Sequence, residues 1–220
     1  MAERPTQKFD AHITKKSKAK SWFLLLVLAG VPLGVFGGGY WFQTNSHRLV
    51  QSVRAKDTMA PFAAWALGRK GEANLVEEEV QSLVTDQAAS SYLRRGAASA
   101  LGTLQDPNCT RFLDDAAKND PDPEVRAAAC AALGDSGVDN AEPTIEYVLV
   151  NDTEPSPLAA ACQAAGQLGL AGQISLLIDN LGTTDYRVRT AAREALVHFY
   201  PAGEAFGDDI GRWRTWYQER

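Results

Sequence analysis

An all-α fold is predicted, an α-solenoid of stacked helix pairs behind a single transmembrane helix, on three observations. Residues 22–42 form one uncharged apolar run. Four Ala-rich segments recur at spacings of 32, 32 and 31 residues. Residues that start and stop helices flank each of these segments. The 220 residues suffice for one domain with a real core plus an accessory segment.

Residues 1–21 read as a basic cytoplasmic tail. Arg4, Lys8, Lys15, Lys16, Lys18 and Lys20 face only Glu3 and Asp10, a net of +4. The whole chain is −5, so residues 22–220 carry −9. So acidic a body argues against nucleic acid, which is bound by neutralising phosphates with Lys and Arg.

Residues 22–42, WFLLLVLAGVPLGVFGGGYWF, predict a transmembrane anchor. At 1.5 Å per residue such a helix spans about 30 Å, the thickness of a bilayer core. Trp22 at one end and Trp41, with Tyr40 and Phe42, at the other suit the headgroup level. Pro32 and Gly37–Gly39 loosen the helix locally. A cleaved signal peptide shares the basic start and apolar run; the length of the run and the lack of an A-x-A-like site favour an anchor. More positive charge precedes the span than follows it (Arg48, Arg54, Lys56), which places the repeats on the non-cytoplasmic side, the periplasm in a bacterium. Residues 43–56 then read as a juxtamembrane linker.

Residues 57–200 hold the repeats. The aligned copies begin at Leu93, Val125, Pro157 and Val188, and Ala63–Gly68 reads as an earlier, decayed copy. In the second copy Val125, Ala128, Ala129, Ala132 and Leu133 make one apolar helical stripe. Ala favours the helix and lets neighbours approach. Ser90, Asp122, Glu154 and Asp185 stand at the N-cap positions, with Pro123 and Pro155 just inside. Gly102, Gly134 and Gly166 are expected to close the helices. Second helices are expected at about 73–85, 108–118, 142–150 and 172–180. Stacked pairs of this kind make a right-handed solenoid.

The segments PDPEVRAAACAALG and TDYRVRTAAREAL resemble HEAT-like repeats of the phycobilin-lyase type, a resemblance covering residues 57–200. It implies a solenoid and leaves activity open, since such repeats serve lyases, DNA glycosylases and scaffolds. It also implies that Arg94, Arg126 and Arg189, which share one helical position, pair with acids of adjacent units. Leu158 breaks that series. The tail at residues 201–220 resembles an ending that follows such repeats in some bacterial proteins. It reads as an aromatic cap in which Phe206, Trp213 and Trp216 cover the last apolar face, with an aromatic ligand site as the alternative.

No catalytic, cofactor or metal residues are predicted. Cys109, Cys130 and Cys162 form no CxxC pair and no His stands near them. Cys130 and Cys162 share a repeat position and read as small, half-buried residues. His198 has no nucleophile at a recognisable spacing, and no phosphate-loop, nucleophile-elbow or HExxH motif occurs. Helix positions turned from the core stripe, Arg95, Ser99, Gln163, Thr190 and Glu194, are the expected contacts for a protein partner. The sequence thus predicts a non-enzymatic, membrane-anchored interaction scaffold with an unidentified protein partner and no evident small-molecule substrate or cofactor. The alternatives are a bilin-lyase-like enzyme or chaperone, and a structural subunit of a membrane complex held through Pro32 and Gly34–Gly39.

Overall fold

A computed structural model describes residues 46–220 except 105, 106 and 138. Within them the chain is helical, with no strand. The helices are α1 (Ser46–Ala55), α2 (Ala60–Arg69), α3 (Glu77–Thr85), α4 (Ser91–Leu104), α5 (Thr110–Asn119), α6 (Pro123–Ser136), α7 (Glu142–Asn151), α8 (Pro155–Gln167), α9 (Ile174–Asn180), α10 (Tyr186–Phe199) and α11 (Ile210–Gln218). No described helix is long and apolar enough to cross a membrane. The segment 22–42, with Trp22 and Trp41, lies outside the described residues.

Helices α2, α4, α6, α8 and α10 form one row in which each packs closely on the next. Helices α1, α3, α5, α7 and α9 form a second row, each packed against the first-row helix that follows it. Each inner first-row helix is therefore enclosed on three sides, which explains why Val125, Ala129, Cys130, Ala132 and Leu133 of α6 are all buried. Large residues would hold the row apart; Ala admits it. The second-row helices bring the bulk, with Leu83, Leu113, Ile145, Leu177 and Ile178 buried against the row.

Two expectations change. The segment read as a linker contains α1, whose Leu49 and Val53 are buried, so the packed unit begins at Ser46. The repeated glycines do not close helices; Gly102, Gly134 and Gly166 lie inside α4, α6 and α8. They are crossing points. A Cβ on Gly102 would come 2.8 Å from Cα of Ala132, one on Gly134 3.0 Å from Cα of Ala164, and one on Gly166 3.0 Å from Cα of Ala195. The period of glycine thus records helix contact. The turns that leave the helices use later glycines, Gly137 (φ 63°) and Gly169 (φ 65°), in the left-handed region.

Helix starts follow the sequence closely. Asp122 accepts from the Glu124 amide at 2.8 Å, and Asp185 from those of Arg187 and Val188 at 2.8 and 3.4 Å. Glu154 makes no such bond; its extra methylene carries the carboxylate past the amides. Short 3₁₀ turns, such as Asp139–Ala141 and Ala171–Gln173, lead into the second-row helices.

The row ends in a cap. After α10 the 3₁₀ turn Pro201–Phe206 leads to α11. Trp213 is fully buried, edge-on to Phe206 and Trp216 at 5.2 and 5.6 Å, and its Nε1 donates to the Gly207 carbonyl at 3.0 Å.

Candidate functional site

The arginines of the first row tie units together. Arg94 forks onto Asp120, at the end of α5, with Nε–Oδ2 2.7 Å and Nη2–Oδ1 2.9 Å. Its Nη1 donates to the Ala89 carbonyl. Arg126 repeats the fork on Asp152 at 2.7 and 3.0 Å and donates to the Asp120 carbonyl at 2.9 Å. These bonds raise both guanidinium pKa values despite the opposing effect of burial. Burial pushes the Asp152 carboxyl up, and the Arg126 bond and the Glu154 and Thr153 amides bring it below its ordinary value. In the next unit both partners are absent: Leu158 replaces the arginine and Thr184 stands 26 residues on, where Asp120 and Asp152 stand relative to theirs. Arg189 binds the Thr183 and Thr184 carbonyls at 3.0 and 2.8 Å and reaches Asp208 of the cap at 3.5 Å. Saturated in this way, these arginines hold the scaffold and offer little to a ligand.

The thiols are also withdrawn. Cys130 and Cys162 are fully rather than half buried, and burial pushes both up to about 12. Neither is a thiolate at neutral pH, so neither serves as a nucleophile. No group of three or more described His, Cys, Asp or Glu residues is placed to hold a metal ion.

An accessible feature of the first row is a groove between α8 and α10, of about 540 Å³. Gly166, Ala191 and Ala195 make its floor, and Gln163, Gln167, Glu194 and His198 its walls. The close approach of Gly166 to Ala195 keeps the floor shallow and apolar. The walls offer amide donors and acceptors, a carboxylate and an imidazole. Of the sequence-predicted contacts, Gln163 and Glu194 meet here. Thr190 is half-buried one turn earlier on α10 and does not line the groove. Arg95 and Ser99 are exposed on α4, with α6 between them and α8. There Arg95 lies over the Tyr92 ring at 5.9 Å, and the Ser99 hydroxyl donates to the Arg95 carbonyl at 3.1 Å. The predicted contacts therefore form two places. Gln167 and His198 escaped the sequence reading, although each is four residues beyond a predicted contact and so on the same helix face.

Residues 110–197 match the family description "HEAT repeats". No curated protein matches the chain in sequence. Among solved structures, the complex of CpcE and CpcF of phycocyanin lyase from Nostoc sp. PCC7120 is similar. The TM-score is 0.60 at 25% identity, over 71% of this chain and 65% of that chain. Residues 110–197 thus match HEAT repeats, within an all-helical solenoid similar in structure to a phycocyanin lyase protein. The likeness overturns the expectation that the chain is not an enzyme. That expectation rested on absent motifs, which exclude only the chemistries those motifs encode.

Proposed function

We propose that the chain is a HEAT-repeat component of a phycobilin-lyase-like enzyme or bilin chaperone, and that it works with a second protein. The observation that carries the reading is the structural likeness to phycocyanin lyase over most of the repeats. It is supported by the similar structure's being a complex of two proteins, and by a groove whose polar walls and small-residue floor suit a docked chain. Gln163, Gln167, Glu194 and His198 contact the partner in this proposal, and Arg95, Ser99 and Thr190 extend the same row. The segment 22–42 anchors the protein, with the repeats on the non-cytoplasmic side; flanking charge supports that placement.

The test is chromophore transfer. Full-length protein is incubated with a bilin and apo-phycocyanin, with and without a second HEAT-type lyase chain. The acceptor is then resolved under denaturing conditions and scanned for bound bilin. Transfer above the protein-free rate supports the proposal. No transfer and no retained chromophore in either condition refutes it.

A further inference from the structure

The cap contains more aromatic surface than sealing the stack requires. Trp213 alone is fully buried, and a Cβ on Gly203 would strike its ring. Trp216 is half-buried and stacks on Tyr200 at 5.0 Å with 21° between planes. Tyr200 also meets Phe206 at 5.9 Å. Beside these rings opens a cavity of about 590 Å³, lined also by Asp209, Arg212, Thr215 and Glu219. Its size suits a small-molecule site, and its aromatic wall sets it apart from the groove between α8 and α10.

We propose that this cavity binds an open-chain tetrapyrrole, stacked on the Tyr200–Trp216 platform with one carboxylate on Arg212. The choice of tetrapyrrole rests on the lyase-like function proposed above. The rest follows from the site. Near-parallel rings favour a flat conjugated partner. The Arg220 guanidinium, 4.8 Å from the Trp216 centroid, places a second positive charge beside the platform for the other carboxylate. The Arg212 side chain is 61% exposed, and its contacts to Asp209 and to the Ala205 carbonyl are both 3.5 Å, at the outer limit of a hydrogen bond. Its guanidinium can therefore turn to a ligand carboxylate without breaking a strong bond. Asp209 and Glu219 place acceptors on the same rim, and pyrrole N–H groups supply matching donors. A flat molecule with both carboxylates and ring N–H groups satisfies rim and wall together.

The test titrates full-length protein with biliverdin and with its dimethyl ester, read by visible absorption and induced circular dichroism. Wild type is expected to bind the acid more tightly than the ester. Trp216→Leu is expected to weaken both by about tenfold or more, the usual worth of a stacking ring. Arg212→Ala is expected to weaken the acid by about tenfold and leave the ester unchanged. Glu146→Gln, on the exposed face of α7 and outside both the groove and the cap, is expected to change neither. Far-UV circular dichroism checks that each variant is folded. Should Trp216→Leu unfold, the exposed Arg212 variant decides by its acid-to-ester ratio. Wild-type affinity in both cap variants overturns the site and leaves the lyase-like reading standing. A wild type that binds neither compound overturns the site, and the lyase-like reading then stands or falls on chromophore transfer in the presence of the second HEAT-type chain.

Discussion

The first helix row and the C-terminal cap close apolar surface in opposite ways. The row uses the smallest side chains: Gly102, Gly134 and Gly166 let the next helix come to van der Waals contact through Ala132, Ala164 and Ala195. The cap uses the largest, with Trp213 filling the space after the last repeat. Helix against helix, small residues maximise backbone contact. Beyond α10, where no further first-row helix packs among the described residues, the Trp213 ring carried by α11 takes that neighbour's place. The row consequently has little to lose by truncation and much by enlargement, and the cap the reverse.

That contrast can be broken by experiment. Trp213→Ala should cost about 3–5 kcal/mol by urea unfolding. Hydrogen exchange should then rise in α10 and α11 before α4 and α6. Uniform loss of protection would mean that the cap and row are not separate devices. Asp120→Ala should cost about 3–5 kcal/mol, because it leaves the Arg94 charge buried without its partner. Asp152→Ala should cost less, since its Arg126 partner is the more exposed. Equal losses would remove burial as the cause. Gly134→Leu should cost about 1–3 kcal/mol by overpacking against Ala164. A neutral outcome would show that the row can spread. Smallest is the double change Leu158→Arg with Thr184→Asp, which recreates the missing ion pair; a shift within about 1 kcal/mol is expected, because the desolvation cost offsets the attraction.

Acid should also act on the row. A hydrogen bond from Ser91, followed by the Glu124 amide, holds Asp122 below its ordinary value, and Asp152 is lowered as described. A carboxylate depressed in the fold contributes stability above its unfolded pKa of about 3.9. That contribution is lost as pH falls through the folded value. The thermal midpoint should therefore fall below about pH 4, less steeply in Asp122→Asn. An unchanged slope in that variant would rule out Asp122 as a source.

Much of the row was legible in the sequence, because its geometry is periodic. A 32-residue spacing of Ala-rich segments is what stacked helices require, and even the Arg–Asp pairs repeat at 26 residues. The glycines were visible but misread, since a helix-closing and a helix-crossing glycine look alike until the neighbouring helix is placed. The groove was half legible. Gln163 and Glu194 follow from helix phase, but their meeting depends on how α8 crosses α10. The cap cavity was less legible still. Phe206, Trp213 and Trp216 could be grouped as a cap, but not divided into one ring that seals and two that stay accessible. The lyase-like activity proposed above was not legible, because no local motif carries it.

The most direct test of the lyase-like account is size-exclusion chromatography of full-length protein after incubation with biliverdin, monitored at 280 nm and in the visible. The account predicts a visible chromophore co-eluting with the protein at a fixed ratio, and loss of that band in Trp216→Leu. A protein peak without chromophore, from a folded wild-type sample both alone and with a second HEAT-type lyase chain, would contradict it.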